Sequence, residues 1–246
     1  MGKKYKGKTC VYCSQRPSET GDHIFAREFF IVSRRDNLPQ VPACSSCNGE
    51  KGVLEHYLTA VLPFGGCHTD AKVNLKSMVP PRLEKNESLH RRLKTGWTKF
   101  WTQKRSGLYL PTATVPFDGE KLEDLFVFIA KGLVWHHWGV LLEPNCQVDV
   151  NSLTKRGESF FEDLLNKRAK ERVIQNVGEG TFEYHGAQAI DDPQISVWLF
   201  SLYGGLKTTG KSGPSMEAAS KIGVLIGPKN VFENAEKRRK MAVRRI

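Results

Sequence analysis

The chain has 246 residues, 39% of them hydrophobic and 10% aromatic, which supports a buried core and excludes wholesale disorder. No apolar run approaches the roughly 18 residues of a membrane span, and the start Met1-Gly2-Lys3-Lys4 lacks the apolar stretch of a secretory signal, so a cytoplasmic protein without a membrane partner is expected. Lys and Arg number 37 against 26 Asp and Glu, a net charge of +11 that favours a polyanionic partner such as nucleic acid.

The excess charge is unevenly placed. It is +3 over residues 1–60, +7 over 61–110, −4 over 111–228 and +5 over 229–246. Residues 1–8 hold four lysines with no apolar pattern and read as a mobile basic arm.

Two C-x-x-C pairs follow, Cys10/Cys13 and Cys44/Cys47. Without a secretory signal a disulfide framework is not expected. Each C-x-x-C turn offers two thiolates to one side, and two such turns complete a tetrahedral zinc shell, so these four residues are the expected ligands of a structural Zn²⁺. Cys67 and Cys146 stand apart and read as small buried apolar residues.

Between and after the pairs the chain reads Gly21-Asp22-His23-Ile24, then Asp36-Asn37-Leu38, then Cys44-Ser45-Ser46-Cys47-Asn48-Gly49-Glu50-Lys51. In that order these residues resemble the zinc-bearing branch of the HNH endonuclease family, over roughly a quarter of the chain. The resemblance implies a ββα-metal finger at residues 9–63 and a metal-dependent endonuclease. It implies that His23 is the general base, that Asp22 and Asn48 hold a catalytic Mg²⁺ or Mn²⁺, and that Asn37 orients the loop or the base. The final family position is Asn48 in place of His, an H-N-N variant. The residue types suit phosphodiester hydrolysis, since a neutral imidazole accepts a proton from water, and a carboxylate with an amide oxygen leaves a hard cation positions for water and phosphate. DNA is the expected substrate and partner, in restriction or phage defence. The alternatives are a nuclease acting on RNA and a zinc-stabilised nucleic-acid-binding subunit that does not cut.

Residues 51–62 continue the finger as a helix, ended by Pro63 and Gly65-Gly66. His56, on that helix, reads as a polar face residue. A basic segment at 72–105 follows, with a helix from about Arg82 to Thr95 closed by Gly96. Trp97 and Trp101 are expected to plug this segment onto the core, while some of Lys94, Lys99, Lys104 and Arg105 meet phosphates. Residues 121–142 predict a helix buried on several sides, and the adjacent His136 and His137 point too far apart to share an ion. A second helix is expected from Leu153 to Gln175, with Phe160, Phe161, Leu164, Leu165 and Val173 inward. Strands are expected at Thr181–His185, Ile195–Tyr203 and Lys221–Ile226, and a short basic helix or disordered tail at 230–246. The fold class is therefore α+β: the finger, then a body at 64–228 of helices and a small antiparallel sheet that offers a surface for a protein partner or a second copy.

Overall fold

A computed structural model of the chain describes residues 4–103, 106–167, 169–208 and 220–232. The fold is α+β, with helices and antiparallel sheets. Strand β1 (Thr20–His23) pairs antiparallel with β2 (Gln40–Ala43), and helix α1 (Ser45–Val61) leaves β2 almost at once. Residues 4–8 are not a free arm. Tyr5 is buried, donates from its hydroxyl to Gln40 O at 3.1 Å, and packs edge-on against Trp135. A Cβ at Gly21 would come within 2.6 Å of the Tyr5 ring, so the glycine is what lets the arm close over β1.

The basic segment departs from expectation twice. The helix expected over Arg82–Thr95 is split between α3 (Val79–Lys85) and α4 (Glu87–Thr95), and a further helix, α2 (Thr69–Ser77), precedes them. Asn86 is the break: its backbone leaves helical geometry and its side chain accepts from Leu89 N at 3.0 Å, capping α4. Beyond Gly96 the chain forms a hairpin, β3 (Thr98–Gln103) with β4 (Tyr109–Thr114), whose pairing is internal. Trp97 is 44% and Trp101 68% exposed, so neither plugs the core. Trp97 reaches only the rim, edge-on to Phe64 at 6.0 Å. Lys104 and Arg105 lie outside the described residues.

Helix α5 (Gly119–Trp138) is the central element and ends on left-handed Gly139. It covers a five-stranded antiparallel sheet in the order β5-β9-β8-β7-β6. The strands are β5 (Cys146–Ser152), β6 (Glu171–Val177), β7 (Phe182–Gln188), β8 (Ser196–Leu202) and β9 (Ile222–Pro228). The last three match the expected strands. The expected helix over 153–175 does not hold: α6 (Lys155–Asn166) stops early, and Glu171–Val177 is an edge strand on β7. The β-branched residues Val173, Ile174 and Val177 suit that strand, whose backbone groups find partners on β7. Phe160, expected inward, is 54% exposed. Lys229–Phe232 begins a helical turn, and residues 233–246 lie outside the described ones.

Side chains alternate across the sheet. Tyr184, Trp198, Phe200, Leu202 and Val224 face α5, whereas Ala187, Val197, Leu199 and Leu225 face Phe161 and Leu165 of α6. The layer toward α5 also receives the segment between β1 and β2. Phe25 packs against Phe182 with the rings tilted and their centroids 4.5 Å apart, and Ile24, Phe29 and Phe30 are fully buried in the same core as Phe126. The β1–β2–α1 unit and the rest of the chain thus share one core. Asp70 of α2 ties the same junction: its carboxylate accepts from Arg34 Nη1 at 2.7 Å and from Thr181 Oγ1 at 2.6 Å.

Candidate metal centre and active site

Cys10 and Cys13 sit in the loop before β1, held by the bonds Cys10 N to Arg16 O and Val11 N to Pro42 O. Cys44 caps α1 and Cys47 lies in its first turn. The four sulfurs all lie within 4.8 Å of one another, close to the spacing of about 3.8 Å set by a tetrahedron of ~2.3 Å Zn–S bonds. Three of these residues are buried, Cys13 is half-buried, and none forms a disulfide. The cluster can therefore hold a metal ion such as Zn²⁺. Two cations stand beside it. Arg16 Nη2 donates to Cys47 Sγ at 3.5 Å, and the half-buried Lys131 of α5 donates to Tyr12 O at 3.1 Å. Burial pushes the Cys10 and Cys47 thiols up. Burial also acts on Cys13, but the backbone amides of Arg16 and Gln15 and the Arg16 side chain outweigh it, lowering that thiol to about 6. Cys67 is exposed and Cys146 half-buried, not the buried apolar residues expected; Cys146 Sγ meets Gln194 Oε1 at 3.3 Å.

The remaining sequence-predicted residues meet along the seam between β1 and α1. Thr20 and Asp22, two apart on the strand, share the face toward the helix. Asn48 Nδ2 donates to Thr20 Oγ1 at 3.3 Å, and one turn further Lys51 Nζ lies 3.0 Å from Asp22 Oδ2. Lys51 is fully buried; it also donates to His23 O at 2.6 Å and to the Glu55 carboxylate. Tyr12, from inside the first C-x-x-C turn, donates its hydroxyl to the same Asp22 oxygen at 2.5 Å. Burial, then the nearby Asp22 charge, push the Tyr12 hydroxyl well up. Burial raises Glu55 to about 7 despite its partner Lys51.

His23 turns to the other face, where its cross-strand neighbour Gln40 places Nε2 at 2.9 Å from His23 Nε2. Which way the Gln40 amide points decides which ring nitrogen carries the proton. Burial, followed by the Arg27 charge, lowers the His23 pKa and favours the neutral ring. Asn37 lies in the exposed turn before β2 with φ of 57°, and the side chain that meets His23 is Gln40.

Tyr12, Gln40 and Glu55 were not legible as site residues. The Lys51/Glu55 spacing of four residues was the one available signal. His56 lies on the outer face of α1, lining a cleft with Tyr57, Arg92 and Lys121. His137 Nε2 meets Tyr184 Oη at 2.9 Å, a packing role between α5 and the sheet. No family model, no curated protein and no solved structure matches this chain.

Proposed function

We propose that the chain is a metal-dependent endonuclease of the HNH type that hydrolyses phosphodiester bonds in DNA. The observation that carries this reading is the seam: Asp22 on β1 and Asn48 on α1 belong to the same strand–helix face, with His23 next in the chain and the four-cysteine cluster at the root of both elements. A Zn²⁺ held by the four cysteines would be structural, fixing the β2–α1 corner against the Cys10–Cys13 loop.

The donor set fits a hard divalent cation, because Asp22 supplies a carboxylate and Asn48, whose nitrogen is spent on Thr20, retains its amide oxygen. Such an ion, Mg²⁺ or Mn²⁺, would neutralise charge developing on the phosphate and on the departing oxygen. Tyr12 and Lys51 fix the orientation of Asp22 through its Oδ2. His23, kept neutral by burial, accepts the proton of the attacking water at Nδ1, which requires the Gln40 amide oxygen to take up Nε2–H and so hold the ring. The bond from water oxygen to phosphorus forms as the bond to the 3′ oxygen breaks, giving 5′-phosphate and 3′-hydroxyl ends.

One observation favours a second reading, a zinc-stabilised nucleic-acid-binding subunit without cleavage. Asp22 Oδ2 is already engaged by Lys51 and Tyr12, as in a carboxylate that serves the frame. A Mg²⁺-dependent assay on plasmid, single-stranded DNA and RNA, run beside His23→Ala, separates these readings and shows whether RNA is cut instead. Cleavage of none of them, or cleavage unaffected by His23→Ala, overturns the proposal.

A further inference from the structure

We propose that one face of the β3–β4 hairpin is a stacking platform for unpaired bases, so that the nucleic acid this protein takes contains a single-stranded stretch. The register pairs Lys99 with Ala113, Trp101 with Pro111 and Gln103 with Tyr109, which puts Lys99, Trp101 and Tyr109 on the same face of the ribbon. Trp101 is 68% and Tyr109 61% exposed, and Lys99 is exposed between the ribbon root and Trp101. Diagonal neighbours on such a face stand roughly 7–8 Å apart, a span that admits a planar ring between or upon them. A two-stranded hairpin alone is marginal in water, and Trp101 and Tyr109 leave most of their ring surface uncovered by the rest of the chain. Its anchors are at the root, where Gly96 closes against Pro116 and Trp97 meets Phe64.

Charge selects the occupant. A hydrophobic protein partner would be met by a neutral surround, but residues 61–110 carry a net +7. At the hairpin root a cleft of about 530 Å³ is walled by Arg91 and Arg92 of α4. Through Ser88 and Arg92 it joins a second cleft of about 590 Å³, whose far wall is the outer face of α1 at Gly49 and Gly52. A Cβ at either glycine would touch nothing within 4 Å, so there the α1 backbone itself faces open space. The arginines line the root of the same ribbon that carries Trp101 and Tyr109 further out, so cations and exposed rings lie on one continuous stretch of chain. In a duplex the base faces are hidden in the stack, and only unpaired bases can lie on these rings.

The proposal rests on the nucleic-acid reading given above, and the experiment separates the two. Binding of a labelled oligothymidine and of a duplex of equal length is measured with the zinc-loaded chain and no added Mg²⁺. The single strand is expected to bind more tightly, and Trp101→Ala or Tyr109→Ala to weaken it about tenfold or more while moving the duplex less than about twofold. Trp101→Phe, which keeps a ring, retains most of the affinity. Lys99→Ala lowers binding of both and reduces the salt slope by about one. A wild-type chain that prefers the duplex, or aromatic variants that lose both ligands equally or neither, overturns the platform. DNA cleavage without an aromatic-dependent preference for single strands removes this proposal alone. Aromatic-dependent strand binding without cleavage removes the endonuclease reading alone.

Discussion

Lys51 of α1, with no exposed surface, sets its ammonium between two carboxylates, 3.0 Å from Asp22 Oδ2 on β1 and bonded to Glu55 one turn along its own helix. A buried ammonium survives only while it is paired, and here it also satisfies the backbone carbonyl of His23. Lys51→Met would leave the buried Asp22 and the half-buried Glu55 without their cation. The zinc-loaded protein should lose about 3–5 kcal/mol in urea unfolding, the usual cost of breaking one side of a buried pair. Adding Glu55→Gln should recover part of that loss. A single variant within ~1 kcal/mol of wild type would show that the cluster does not hold the seam.

The nearest chemical test is at His23. His23→Ala should reduce cleavage about 10²- to 10⁴-fold while zinc content and thermal stability stay near wild type, because the ring is at the strand end and not in the frame. The lowered His23 pKa sets the direction of the pH profile: the base stays neutral to lower pH, so the acid limb should fall below the ordinary 6.5. Gln40→Ala, which releases the ring, should lower kcat with little change in KM. An acid limb above 6.5 would contradict the buried, Arg27-flanked setting of the imidazole.

Elemental analysis should find one Zn²⁺ per chain. Chelation or Cys44→Ser should unfold or destabilise the β2–α1 corner and expose Phe25 and Phe29, since site assembly and folding are one process in such centres. The readout is the melting temperature with and without metal. A metal-stripped chain that melts like the loaded one would remove the structural role.

His137 carries a pH signature of its own. Burial, with a smaller push from His136, lowers it to about 4 from 6.5 while its ring is bonded to Tyr184. Between those values the unfolded chain binds a proton that the folded chain does not, so stability is full above 6.5 and declines as pH falls toward 4. His137→Gln should flatten that part of the stability curve relative to wild type. Parallel curves would mean that the ring ionises freely in the folded state.

Gly186 on β7 lies opposite Trp198 on β8, and a Cβ there would come within 2.4 Å of the indole. The indole is wholly buried and cannot withdraw to solvent. Gly186→Ala should therefore cost about 1–3 kcal/mol by overpacking. A neutral or stabilising effect in denaturant unfolding would show that the sheet can shift to admit the methyl.

Much of the chain was legible from local signals. The paired cysteines announce their convergence because two C-x-x-C turns are short enough to preset their own geometry, and the four sulfurs do gather. Helix α5 and strands β7, β8 and β9 follow from apolar periodicity and from the turns that bound them. The β6 strand was read as helix because residues 171–175 carry amphipathic spacing, and the contest was settled by backbone partners on β7, which no local window contains. The β3–β4 ribbon and the exposure of Trp101 were hidden for a related reason: an aromatic in a basic segment looks the same whether it plugs a core or stands on one face of a ribbon, and the register with Pro111 and Tyr109 makes the difference. Asp22, His23 and Asn48 were visible as residue types at a spacing. That Asp22 turns to Lys51 and Tyr12 while His23 turns to Gln40 follows from strand alternation and from the packing of α1, because where a side chain points depends on which elements close around it.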